Sequence, residues 1–397
     1  MKTSVRDKIS SLLNWRRPLH SSFILYNDQC ASFPLFFVNL FVLRTSLSFQ
    51  ASIILFVFAE MVLPLFKLPI LVIKLVLETM GFIDLFVLTS ASSKTKRIVK
   101  NLITIRNFRM NIFIKKEAIV FCFQKIGNTN YLNSIYMEPE KNRRDDVFHL
   151  KIGTDNVPST FDETIDRAIV LTIYLKQTID HVTKLYNTFF EIFKTPLKGI
   201  NIDLKDVAVE TYRSWIKWNN DYFFDSQSLE IVGKSTFHNY IWILKNVRTK
   251  NMLYFNVEPT DYPEDPENNE IVNVEAASVY IWFGRWMSMQ QLKAIKAESI
   301  TVRRVSLTDS QINTFLREMK ALEVPSYLKK LRVRFNREAN PAVVLEGLDV
   351  INEDLERPDD VLNQWSFTMA NGEKCTAIYA EYEGDIPEFG FEFQVGN

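Results

Sequence analysis

The sequence predicts an α+β chain in two parts: a small three-helix module, then an α/β solenoid-like domain ending in a C-terminal β-hairpin. Three observations predict it. Apolar residues recur at spacings of three and four after Pro69, and two further short helical segments follow before residue 100. Beyond residue 198, short β-type segments alternate with helical ones at a period of roughly 21 to 30 residues, the range of leucine-rich repeats. Near the C-terminus, Asn371-Gly372 stands between two runs of alternating apolar residues, a type I′ hairpin signal.

The totals exclude several classes. The 397 residues make room for two or three domains, and 47% apolar composition is that of a folded chain. With 47 basic against 47 acidic side chains, no whole-chain field draws it to nucleic acid or anionic lipid. Cys30, Cys122 and Cys375 are odd in number and far apart, which argues for reduced thiols rather than a disulfide framework or a zinc site. The glycines form no GxGxxG, P-loop or GxSxG pattern. His20, His149, His181 and His238 show no ligand spacing. No nucleophile–base or metal set can be named, so a binding protein without catalytic residues, metal or cofactor is expected rather than an enzyme.

The elements follow in order. Residues 1–62 form an apolar leader with a basic start. Overlapping its end, 45–66 is long enough to span a bilayer, but Thr45, Ser46, Ser48, Gln50, Ser52 and Glu60 dilute it. Three descriptions fit: a gene-model artefact, a transmembrane or anchoring helix, and a segment packed on the fold. Leu68-Pro69 then opens a helix, since proline suits a first turn. Ile70, Ile73, Val76, Leu77 and Met80 form its stripe, and Gly81 is expected to end it. A second helix covers about 83–89, with Leu85, Phe86 and Leu88. A third, basic helix starts after Ser92 or Ser93 and carries Lys94, Lys96, Arg97 and Lys100.

Residues 106–200 read as a connecting α/β region. Strands are expected at 111–115, 118–124 and 148–152, and helical periodicity from about 161 to 193. In 201–397 the repeat dominates. Its β-type segments are 199–204, 229–232, 252–257, 279–283, 300–305 and 331–335. Ser288…Gln291 and Thr308…Gln311 fit the capping box, in which two side chains satisfy orphan N–H groups. Residues 258–275 hold seven acids, three prolines and no base, a solvated loop.

Period-two alternation orients the repeat strands. Ile300, Val302, Leu331 and Val333 point inward. Tyr280, Trp282, Thr301, Arg303, Arg332 and Arg334 point outward. Aromatic side chains with arginines have the composition of binding hot spots. Tyr280, Trp282, Arg303, Arg332 and Arg334 are therefore candidate substrate-binding residues, against the alternative of an ordinary solvated sheet face.

Two stretches carry a family resemblance. Phe66-Lys67-Leu68-Pro69, Asp84-Leu85 and Ser93-Lys94-Thr95-Lys96 resemble the divergent F-box of the large nematode families. Two departures stand out: Ala91-Ser92 where that family often has Cys before its Ser-Lys, and an apolar stretch in place of a short polar leader. Trp286-Met287-Ser288, Ile300-Thr301-Val302, Leu307-Thr308, Ile312-Asn313-Thr314-Phe315-Leu316 and Leu345-Glu346-Gly347-Leu348 are similar to the nematode type 2 F-box-associated domain. The two stand in the family's order. The resemblance implies a trihelical F-box over 63–105, followed by a leucine-rich-repeat-like solenoid domain.

It also implies a function. An F-box docks on the Skp adaptor of a cullin-based, SCF-type ubiquitin ligase, and the associated domain holds a target protein. Leu68, Pro69, Ile70, Ile73, Val76, Leu77, Leu85 and Leu88 would then bind the adaptor. Residence would be cytoplasmic or nuclear. The competing class is a membrane-anchored protein with a cytosolic α/β interaction domain, held through 45–66. A nucleic-acid binder is third, because 94–116 holds eight bases and no acid; zero net charge and the lack of a binding motif argue against it.

Overall fold

Alternation along the strands sets the architecture. The computed structural model describes residues 68–396, apart from 104–107, 126–130, 164–168, 264, 266–268, 323–326, 354–360 and 383–387. The leader and its candidate span at 45–66 lie outside the described residues.

Three helices come first: α1 (Ile70–Thr79), α2 (Phe82–Ala91) and α3 (Ser93–Leu102). Pro69 is the N-cap of α1, one position before its first turn. Gly81 does not close α1 in a left-handed conformation. Met80 is the extended C-cap, and Gly81, at φ −69°, is the N-cap of α2. Asp84 accepts from the Gly81 N–H at 3.2 Å, so the acid that interrupts the apolar run starts a helix. Ser92 caps α3 by accepting from the Thr95 N–H at 3.1 Å.

The chain then forms β1 (Phe108–Ile114), β2 (Ile119–Lys125) and β3 (Tyr131–Glu138), an antiparallel meander. Next come β4 (Phe148–Ile152), β5 (Asp155–Glu163) and β6 (Ile169–Tyr174), a second meander joined to the first by parallel β3–β6 pairing. The helical periodicity expected from 161 is thus overturned: 161–163 and 169–174 are strand, and among the described residues of that stretch only α4 (Ile179–Phe193) is helix. The sequence IVLTIY is a run of β-branched and aromatic residues, whose short apolar pattern does not separate buried strand from helix.

From β7 (Leu197–Asp203), which pairs in parallel with β1, a strand–helix step repeats. It runs through α5 (Val209–Tyr222), β8 (Ser228–Ser235), α6 (Phe237–Asn246) and β9 (Met252–Pro259). After a two-residue strand, β10 (Val274–Glu275), come β11 (Ser278–Ile281), α7 (Met289–Ala294), a short β12 (Ile295–Lys296), β13 (Ser299–Val302), α8 (Asp309–Lys320) and β14 (Lys330–Phe335). All six β-type segments expected from the repeat are strands, adjacent in sequence order and parallel. They do not form a free-standing solenoid. After α9 (Pro341–Val344) and β15 (Ile351–Asn352), the antiparallel β16 (Val361–Thr368), β17 (Lys374–Tyr382) and β18 (Glu388–Val395) extend the same sheet past β14. Among the described residues the result is one mixed sheet of sixteen strands, with β10 and β12 paired separately.

The core is a set of apolar rows across this sheet. Ile112, Ile200, Leu229, Leu253, Val279, Ile300, Leu331 and Phe393 are register partners over eight strands, and all are buried. Helices return over this face; the Tyr240 ring of α6 meets Phe255 of β9 edge-on at 4.7 Å. The opposite face is lined by the polar and aromatic half of each strand.

Two local signals resolve differently. At α8 the capping box is complete: Thr308 accepts from the Gln311 N–H at 3.2 Å, and Gln311 accepts from the Thr308 N–H at 2.9 Å. At α7 Ser288 caps Gln291 alike, but the Gln291 amide pairs instead with the backbone N–H and C=O of Val272 at 2.7 and 2.6 Å. The C-terminal hairpin exists, yet its turn is not type I′. Only Gly372 has positive φ, +84°, and its N–H donates to the Met369 carbonyl. This is the three-residue form, a tight turn followed by a left-handed glycine.

Candidate functional site

The helical region is joined to the sheet by packing. The Phe82 ring stacks on Phe123 of β2 at 3.7 Å and tilts against Phe193 of α4 at 4.5 Å. Phe86 meets Phe189 at 4.8 Å. Outside, Lys96 and Lys100 of α3 both reach Glu191 of α4, at 2.6 and 3.5 Å. The Lys96 hydrogen bond holds the Glu191 carboxyl below its ordinary range.

The eight residues expected to meet an adaptor divide. Ile73, Leu77 and Leu85 are buried in the chain's own core, so the helical stripe is their side of the core and not a free surface. Leu68, Val76 and Leu88 are half-buried, and Leu68 and Leu88 pack on that core. Pro69 and Ile70 are exposed. The outward apolar set is Ile70, Leu71 and Leu75, with 65, 72 and 60% of their surfaces in solvent. Leu71 and Leu75 lie one turn apart, on the face opposite the stripe. The signal for them was the run ILVIKLVLE, apolar on both faces where a surface helix needs one.

The open face of the parallel sheet gathers the other candidates. Tyr254, Tyr280, Thr301 and Arg332 are successive register partners, and Arg332 pairs onward with Glu392 of β18. The Arg303 guanidinium stacks over Trp282 at 3.9 Å, and that of Arg334 over Tyr382 at 3.7 Å. Tyr254 and Tyr280 lie 5.4 Å apart, Tyr280 and Trp282 6.3 Å. All five predicted residues therefore share one patch. Gly390 makes room for it: a Cβ there would stand 2.6 Å from the Val333 carbonyl and 3.1 Å from Arg334 Cγ.

Two carboxylates hold the arginines, and sequence reasoning missed both. Glu388, 3% exposed, accepts from Arg303 Nε at 2.7 Å, with Arg304 at 3.5 Å and Arg334 at 3.9 Å. Glu392 accepts from Arg332 Nε at 2.7 Å and meets Lys330 at 2.5 Å. Burial pushes the Glu392 pKa up, but Lys330 and Arg332 outweigh it and bring the group below its ordinary range. Burial pulls Arg332 down, and Glu392 more than restores it. For Arg334 burial wins, helped by Arg303 and Arg332, and its pKa falls. The missed signal was EFGFEFQV, whose Glu/Phe alternation marks a strand with one charged face.

Among the described residues, no group of three or more His, Cys, Asp or Glu is placed to hold a metal, and no helix is long and apolar enough to cross a membrane. No curated protein and no solved structure matches the chain. Two family models do. The F-box domain matches residues 65–107, the stretch containing α1 to α3, and the F-box associated family matches residues 267–333, from the loop before β10 into β14. The chain thus carries an F-box domain and, in the part of the sheet that bears Tyr280, Trp282, Arg303 and Arg332, an F-box-associated domain.

Proposed function

We propose that the protein is a substrate receptor of an SCF-type ubiquitin ligase. Its F-box docks on a Skp-family adaptor and, through it, a cullin. The open sheet face binds a target protein. The chain supplies no chemistry of its own, needs no cofactor, and works in the cytoplasm or nucleus. Its kinship lies with the nematode type 2 F-box-associated proteins, and the six-strand parallel run serves as their leucine-rich-repeat-like solenoid.

The observation that carries this reading is the exposure of Ile70, Leu71 and Leu75 inside the F-box match, where the other large apolar side chains of α1 and α2 are covered or half-covered by their own chain. Burying one such side chain is worth about 1.5 to 3 kcal/mol, so Leu71 and Leu75 on one face, with Ile70 at the helix start, suit a partner's groove better than water. Lys74 and Glu78, paired at 3.7 Å beside them, supply the polar rim.

The test is co-purification with the adaptor. Leu71→Asp with Leu75→Asp should abolish it and leave the thermal midpoint near that of the parent, because both side chains already face solvent. Undiminished adaptor binding would refute the docking surface.

A further inference from the structure

We infer that the segment held on the open face of β9 to β14 is an acidic peptide stretch of the target protein; this rests on the receptor function proposed above. The charge of the patch carries the inference. Among the described residues, five cations (Arg303, Arg304, Lys330, Arg332 and Arg334) surround only two carboxylates, Glu388 and Glu392. Each guanidinium has five donors, and a carboxylate about four lone-pair sites. The donors therefore outnumber their internal acceptors.

Arg334 shows the shortfall best. Its Nε is buried without a hydrogen-bond partner, and its nearest contact to Glu388 is 3.9 Å, beyond hydrogen-bond range. Burial and the neighbouring Arg303 and Arg332 all disfavour its charge. An incoming carboxylate relieves that crowding of positive charge. The guanidiniums are already oriented, on Trp282 and Tyr382, so little side-chain entropy remains to be lost on binding.

The surroundings give the ligand its other half. Tyr254, Tyr280 and Trp282 offer half-buried aromatic surface beside the charges. From Tyr254 to Arg332 is three inter-strand steps, about 14 Å, the reach of about four extended residues. The ligand is thus a short run with acidic groups next to apolar ones. A nucleic acid fits worse. Its continuous phosphates would run on to Asp203 and Glu230 on the same face, and the cations cluster at β13 and β14 instead of forming a track.

The experiment uses the full chain with its adaptor and fluorescein-labelled peptides of about twelve residues. One carries Asp, Glu and Leu; its isostere carries Asn, Gln and Leu. By anisotropy the acidic peptide should bind about tenfold tighter or more, as a charge-assisted hydrogen bond predicts, and lose that preference as salt rises. Arg334→Gln should bring its affinity down to that of the isostere. Because Arg334 touches the Glu388 cluster, Tyr254→Ala serves as the second variant: it removes aromatic surface away from Glu388 and should weaken both peptides alike. Equal affinity for the two peptides overturns the inference, as does tighter binding of an oligouridine of similar length. If a photo-cross-linker at Trp282 captures proteins that the reconstituted ligase ubiquitinates, while the acidic peptide shows no preference, the receptor function stands and this inference falls.

Discussion

The ring of Phe82 in α2 lies stacked on that of Phe123 in β2, with centroids 3.7 Å apart. Both side chains are fully or almost fully buried, and Phe189 and Phe193 complete the cluster. The F-box helices and the sheet therefore share a core.

Phe82→Ala should destabilise the protein by about 3 to 5 kcal/mol. Tryptophan fluorescence in a denaturant titration checks the coupling, because six of the seven tryptophans lie beyond residue 200. A mutation in α2 should move that distal transition. An unshifted tryptophan signal would mean that the helices unfold separately.

A second expectation concerns a buried polar chain. Trp286 Nε1 donates to Tyr240 Oη at 2.8 Å, and that hydroxyl donates to the Phe283 carbonyl at 3.2 Å. Burial pushes the Tyr240 hydroxyl far above its ordinary range. Tyr240→Phe leaves two buried groups without a partner and should cost about 1 to 3 kcal/mol. Calorimetry of the two proteins measures it.

The two capping signals should separate under mutation. Gln311→Ala removes one exposed reciprocal bond at α8 and should cost about 0.5 kcal/mol. Gln291→Ala removes two buried bonds to Val272 and should cost about 2 kcal/mol. Equal losses in a urea titration would contradict the different bonding of the two amides.

Glu392 gives an acid limb with a definite sign. Its folded pKa is below the ordinary 4.5, so its contribution is full above that value and fades as pH falls through the lower folded one. Glu392→Gln should flatten this part of the stability–pH curve. Thermal midpoints measured from pH 3 to 6 for both proteins provide the comparison, and parallel curves would remove Glu392 as the source.

Cys122 and Cys375 are shielded. Burial pushes Cys375 up to about 12 and raises Cys122 as well. Because both favour the protonated form in the fold, their contribution is full below the ordinary 9.0 and is lost as pH rises toward the folded values. At pH 8, an aromatic disulfide reagent should label neither Cys122 nor Cys375 until the protein is denatured. Rapid labelling of either in native protein would contradict their burial.

Much of this architecture was legible, and the failures have physical causes. The six repeat strands were found because each alternates apolar and polar residues and is followed by a turn signal. The strands Asp155–Glu163 and Ile169–Tyr174 were missed because local propensity does not say whether a short apolar run is strand or helix; the pairing to Tyr131–Glu138 decides it. On the first helix the spacing identified an apolar stripe but not what covers it. Ile73 and Leu77 turned inward because they join the core shared with the rest of the chain, which leaves Leu71 and Leu75 outside. The arginine patch was found by alternation along two strands. Glu388 and Glu392 were not, because their strand pairs with β14 from more than fifty residues away.

The unbroken sheet has one more consequence. Between β2, on which Phe82 of the F-box helices stacks, and β13, which leads into Arg303, lie six inter-strand steps, about 29 Å. Neighbouring strands are hydrogen-bonded throughout, so among the described residues the sheet runs unbroken from one surface to the other. On the proposed function the protein is a ruler: a captured target stands at one distance and one angle from the adaptor. The choice of which target lysine meets the ubiquitin-charged enzyme then belongs to the geometry of the sheet.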